Sequence, residues 1–218
     1  MPPTYDVAGP VDGPAIVFIH GTRLCRTAWT AQMADLRDEF RVIALDLPGH
    51  GVLASERFTL AAARAHVIRV LEEAAHGGAI LVGLSLGGYV AMDVAAARPD
   101  LVRGLVLSGA TAEPIGPRAV PYRVLAWAMA WLDGPRLDAL NAWFFRTRFP
   151  PAIADPIIAG GFWSRGGADA LRAIAGERFA PRLAAYPGRT LILNGAYDLP
   201  FRLFAGSFAR SAQALRRS

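Results

Sequence analysis

Gly83-Leu84-Ser85-Leu86-Gly87-Gly88 follows the apolar run Ala79-Ile80-Leu81-Val82 and leads into a helical pattern from Tyr89 to Ala97. The order is strand, tight turn, helix, with a serine at the apex. A turn this sharp strains the backbone of its central residue, and only small neighbours two positions before and after it fit. Gly83 and Gly87 are those neighbours. The turn also places the start of the helix beneath the serine, so the Leu86 N–H faces any oxygen that turns negative near Ser85. Ser85 is the candidate nucleophile.

An earlier buried run, Ala15-Ile16-Val17-Phe18-Ile19, ends in His20-Gly21-Thr22, where a glycine lets the chain double back and present a main-chain N–H. The N–H groups of Thr22 and Leu86 then converge on one oxyanion. Further apolar runs lie at Arg41 to Leu45, Val102 to Leu107 and Thr190 to Leu193, with a short edge strand near Tyr5 to Ala8. Continuous apolar strands separated by helical segments predict an α/β fold, with a mostly parallel sheet covered by helices on both faces. The 218 residues, 53% hydrophobic and 19% charged, suit one globular domain with a sizeable core.

In these pieces the chain resembles the α/β-hydrolase fold family, from about residue 14 to about residue 200. His20-Gly21 is similar to the family's oxyanion loop, and Trp29 opens the next helix. Asp46-Leu47-Pro48-Gly49-His50-Gly51 is similar to its D-x-P-G-x-G loop, and Gly83 to Gly87 to its nucleophile elbow. Leu191-Ile192-Leu193-Asn194-Gly195-Ala196-Tyr197-Asp198 is similar to the strand and loop that carry its acid. The resemblance implies a Ser-Asp-His triad with Ser85 as nucleophile and Asp198 as acid. If Asp198 fails, Glu113 is the next acid to examine. The implied reaction is hydrolysis of an ester or related carbonyl bond through an acyl-serine; thioester, carbon–carbon and perhydrolysis chemistries use the same constellation. No metal or organic cofactor is implied.

The chain departs from the family at the base. No histidine follows Asp198; the four are His20, His50, His66 and His76. His20 orients its loop, and His66 and His76 read as solvated or helix-end residues. His50, in a loop at the active-site edge, remains as a substitute base. Ala205 to Arg217 reads as an amphipathic helix, after which the family has a last strand, a histidine loop and a terminal helix. The expectation is a chain lacking that segment, with Thr190 to Leu193 left as an open edge that invites a homodimer. The alternative function is a defective remnant or a small-molecule binding protein on the same fold.

The sequence divides into a first core part, 1–111, a helical cap, 112–186, and a second core part, 187–218. A cap rich in Trp127, Trp131 and Trp143 predicts an apolar or aromatic small-molecule substrate touching those rings. Arg146 and Arg148 read as solvated arginines, with a grip on a substrate carboxylate as the alternative. The net charge of +5 arises from 23 arginines and no lysine, spread without a basic cluster, so no nucleic-acid partner is expected. The missing lysine excludes a P-loop. Pro48 and the polar 55–57 stretch exclude a dinucleotide-binding turn after Gly49. Cys25, the single cysteine, is read as a buried structural thiol in a reducing compartment. The longest apolar run, Leu125 to Leu132, is too short to span a bilayer, and no signal peptide is evident. The expectation is therefore a cytoplasmic protein with no membrane partner.

Overall fold

The computed structural model describes residues 2–196 and 198–214. Its centre is a six-stranded sheet of order β1-β3-β2-β4-β5-β6. The strands are β1 (Tyr5–Ala8), β2 (Ala15–Ile19), β3 (Arg41–Leu45), β4 (Ala79–Leu84), β5 (Val102–Ser108) and β6 (Arg189–Leu193). β1 runs antiparallel to β3, and every other pairing is parallel. The β-branched and leucine-rich runs that mark these strands are what a sheet buried on both faces requires. After β2 the chain turns to β3 on one side, whereas β4 is followed by β5 on the other. The order thus reverses between β2 and β4, and such a switch opens a crevice at the carboxyl ends of the strands.

One face of the sheet carries the main core. Against it pack α2 (Leu60–Ala74), α3 (Leu86–Ala97) and two later helices, α7 (Ser164–Ile174) and α8 (Ala180–Ala185). Thr59 caps α2 by accepting the Ala62 N–H at 3.0 Å. Asp93 of α3, itself buried, holds Arg64 at 3.1 Å and Arg182 at 3.2 Å, tying α2 and α8 to α3. On the opposite face, α1 (Thr30–Leu36) with Trp29 covers Phe18, Val42 and Ala44. Trp29 stacks on Phe18 at 4.9 Å.

Between β5 and β6 lie α4 (Ala119–Leu132), α5 (Pro135–Arg148), α6 (Pro151–Ala159), α7 and α8. This stretch is not uniform. Leu171, Ile174, Phe179, Leu183 and Tyr186 belong to the main core, while α5 buries no residue fully. Glu113, the reserve acid, accepts the N–H groups of Phe179 and Ala180 and so caps the start of α8. The last helix, α9 (Leu199–Ala214), starts six residues earlier than the amphipathic pattern suggested, because the Asp198 carbonyl already accepts the Phe201 and Arg202 N–H groups. Arg217, its expected end, lies outside the described residues, as does Tyr197. Among the described residues no helix is long and apolar enough to cross a membrane.

β6 is an edge strand, and its two faces differ. Ile192 packs on the main core, whereas Leu191 and Leu193 point to the face that α1 does not reach and are 54% and 47% exposed. Unpaired N–H and C=O groups beside exposed leucines recruit another strand. The chain is expected to self-associate at micromolar concentration in light scattering, and Leu191→Lys to restore monomer; a monodisperse parent protein defeats this expectation.

Candidate active site

The nucleophile turn depends on backbone surfaces in direct contact. Ser85 has φ 50° and ψ −112°, one of only two non-glycine residues with positive φ among the described residues. Such a conformation costs of order 1–3 kcal/mol and persists only where its surroundings enforce it. They do so here. A Cβ on Gly83 would come within 2.5 Å of the Gly87 and Gly88 backbone, and one on Gly87 would overlap the Ile19 carbonyl. The Ser85 N–H is tied to the Ser108 carbonyl at 2.7 Å. Leu86 is the first residue of α3, so its N–H has no partner within the helix.

Ser85 and Thr22 face one cavity of about 350 Å³, completed by Pro121, Tyr122, Leu125, Leu171 and Phe201. That size suits a small ligand, and the lining is apolar apart from Thr22, Ser85 and the tyrosine. The Tyr122 hydroxyl is held 3.0 Å from that of Tyr89, which donates to the Ala112 carbonyl at 2.7 Å.

Asp198 lies at the same sheet edge. Leu84, Ser108 and Leu193 stand abreast, so the chain leaves β4 and β6 two strand spacings apart, about 10 Å. The carboxylate is exposed and accepts the Gly195 N–H at 2.9 Å. No hydrogen bond joins it to Ser85 among the described residues.

The tryptophans are corrected. Trp127, Trp131 and Trp143 do not line the cavity with Ser85 and are 63%, 72% and 62% exposed. Trp127 and Trp131, one turn apart on α4, stack on each other at 5.8 Å with planes 4° apart. The inward stripe of α4 is Ala119, Tyr122, Ala126 and Met129. Its 3-4-3 spacing was the signal that would have selected Tyr122 over the tryptophans. Leu171 and Phe201 reach the cavity from other helices, and no local spacing marks them. Arg146 and Arg148 are exposed on α5, away from the cavity lining.

The histidines are locked away from Ser85. The His20 Nε2 accepts the Leu47 N–H at 3.0 Å, so its Nδ1 carries the proton and donates to the Gly21 carbonyl at 2.9 Å. Both nitrogens are committed, and the ring staples the Gly21 loop to the loop after β3. Burial pushes His20 from 6.5 down to about 4, against the opposing pull of the Gly21 carbonyl. His50 is fully buried, its ring 4.9 Å from that of His20, with Nδ1 3.0 Å from the Pro48 carbonyl. Burial and the neighbouring His20 push it to about 3. Neither ring lines the Ser85 cavity. His66 is corrected too: it lies buried on the core stripe of α2, not in solvent. Only His76 is exposed, just beyond that helix.

Asp46 of the D-x-P-G-x-G loop is structural. Buried, it accepts the Arg26 N–H at 2.8 Å, the Arg26 guanidinium at 2.6 Å and the Val52 N–H at 2.9 Å. Arg26 also pairs with Asp6 of β1 at 2.9 Å. Cys25 is buried beside Thr27, as expected of a structural thiol. Among the described residues no cluster of three or more His, Cys, Asp or Glu is disposed to hold a metal ion.

The model of the alpha/beta hydrolase family matches residues 16–217. The chain belongs to that family. It is 34% identical over 143 residues to the pimeloyl-[acyl-carrier protein] methyl ester esterase of Methylococcus capsulatus, covering 60% of this chain and 54% of that one. It is 34% identical over 161 residues to the 2-(acetamidomethylene)succinate hydrolase of Mesorhizobium japonicum, covering 71% and 55%. The matches thus span about half the length of these relatives. A thermophilic esterase from Thermogutta terrifontis superposes with a TM-score of 0.75 at 27% identity, over 95% of this chain and 80% of that one.

Stability should follow the two buried histidines. Their folded values lie below the ordinary 6.5, so the unfolded chain takes up protons first as pH falls. Their contribution is complete above pH 6.5 and is lost between there and pH 3–4, at about 1.4 kcal/mol per histidine per pH unit. Denaturant midpoints measured from pH 7 to pH 4 should fall accordingly, and His50→Gln should flatten the slope by about one proton. A midpoint independent of pH over this range contradicts the burial of both rings.

Proposed function

We propose that the chain carries the nucleophile, oxyanion donors and acid of a serine hydrolase acting on an ester or related carbonyl bond of a small apolar or aromatic substrate. The observation that carries this reading is Ser85 held at positive φ beside Thr22 in an apolar cavity. Relatives bearing the names esterase and hydrolase support the reaction class. In this scheme the Ser85 Oγ attacks the carbonyl carbon, and the new oxyanion is met by the Thr22 and Leu86 N–H groups. An imidazole takes the serine proton and returns it to the leaving oxygen as the acyl-serine forms, and the same ring then activates water. Asp198 orients that imidazole.

None of His20, His50, His66 and His76 lines the Ser85 cavity; a second reading is a binding protein that keeps the pocket. Loss of the base in a serine hydrolase costs on the order of a million-fold in turnover. The chain should therefore hydrolyse p-nitrophenyl butyrate marginally at best. Free imidazole should restore turnover above the imidazole background, and Ser85→Ala should remove that gain. Equal rates for parent and Ser85→Ala at every imidazole concentration would leave the binding reading. Robust turnover without imidazole, abolished by His50→Ala, would make His50 the base.

A further inference from the structure

The outer face of α4 is uncovered. Val120, Val124, Trp127 and Trp131, spaced four, three and four residues apart, form one stripe, and each is more than half exposed. After Asp133 and Gly134 the chain enters α5, which buries no side chain fully and exposes Leu140, Trp143 and Phe144. A protein surface seldom leaves an apolar stripe such as that of α4 bare without a partner.

The charges around the stripe identify that partner's sign. Arg123, Arg136, Arg146 and Arg148 are exposed, and none makes an ion pair among the described residues. The two acids of this stretch are turned away from solvent or paired. Asp133 pairs with Arg165 at 3.0 Å, and partly buried Asp138 lies within the field of Arg23. Tryptophans beside unpaired arginines match a phospholipid headgroup layer, where indole rings sit at the apolar boundary and guanidinium groups bind phosphate. A second copy of the chain fits worse, since a two-fold contact would set these arginines against themselves.

We infer that the outer face of α4, continued on α5, docks on an anionic phospholipid surface. The contact is interfacial, because α4 has only 14 residues and no described helix is long enough to span. It revises the expectation of no membrane partner, which rested on the shortness of Leu125 to Leu132; Leu125, Trp127, Trp131 and Leu132 of that run are exposed. Pro121 and Leu125, beside the stripe, line the Ser85 cavity, so the docked helix sets the cavity mouth at the lipid surface. The inference stands apart from the hydrolase reading, since binding a vesicle needs no chemistry.

The test is flotation of the full chain with phosphatidylglycerol or phosphatidylcholine vesicles, together with tryptophan emission. Binding to phosphatidylglycerol at low salt, a blue shift, loss at high salt and weak binding to phosphatidylcholine are expected. Trp127→Ala with Trp131→Ala should weaken partitioning roughly tenfold. Arg123→Gln with Arg136→Gln should weaken it by about twentyfold, whereas Arg37→Gln with Arg57→Gln, equal in charge, should change it less than twofold. Circular dichroism checks the fold of each variant, and Val120→Ser with Val124→Ser replaces the tryptophan pair if that one unfolds. No binding to phosphatidylglycerol, equal binding to both lipids, equal effects of the two arginine pairs, or a dimer in light scattering that the tryptophan variant dissociates would each overturn the proposal.

Discussion

The start of α3 lies against the carboxyl ends of β2 and β4 with no side chain between them, and the rest of the site depends on that contact. Gly83 and Gly87 exist to allow it, since a Cβ at either position would strike backbone and not a flexible side chain. Backbone cannot yield by a rotamer change, so the approach is fixed. The strain at Ser85 is sustained by the same contact. A helix held this close points its first N–H groups at the space above the sheet, and the β2–β4 switch point leaves that space open. Topology and local strain thus put the serine and the Thr22 loop in one crevice without any side-chain bond between them.

A second set of interactions keeps the two loops beside that crevice in register. Asp46 binds Arg26 through both backbone and guanidinium, and Arg26 reaches Asp6 on the edge strand. His20 holds the Gly21 carbonyl with one nitrogen and the Leu47 N–H with the other. Asp46 and His20 are buried, and truncating either would leave a charge or a donor unsatisfied, whereas Asp6 at the outer end is exposed. A D-x-P-G-x-G loop that resembles part of a reactive site is thus a brace: its aspartate is saturated by donors and its histidine is desolvated.

The sheet was legible in the sequence because buried parallel strands are continuous apolar runs, and each falls within two residues of its expected bounds. The elbow was legible because close backbone approach demands glycine at fixed offsets. What failed was the assignment of faces on α4, and the physical reason is general. Large aromatic side chains are a sign of burial only on average, and the helical stripe of smaller residues, Ala119, Tyr122, Ala126 and Met129, decides which side turns inward. His66 failed for the same reason, being read by residue type although it shares its stripe with Val67, Val70 and Leu71. Leu171 and Phe201 were out of reach altogether, since tertiary packing alone brings α7 and α9 to the cavity.

The desolvation that braces the site also keeps His20 and His50 unprotonated near neutral pH. A general base works best with a pKa near the operating pH, and His50 stands at about 3. Raising it from there to its ordinary 6.5 takes about 5 kcal/mol, an amount comparable to the whole stability of a small domain. Admitting water between His20, His50 and Phe58 would disturb the packing beside the Gly21 loop. Asp198 sits in the contrasting environment, exposed at the sheet edge with one oxygen on the Gly195 N–H. Its carboxylate is hydrated there, whereas the rings of His20 and His50 are desolvated.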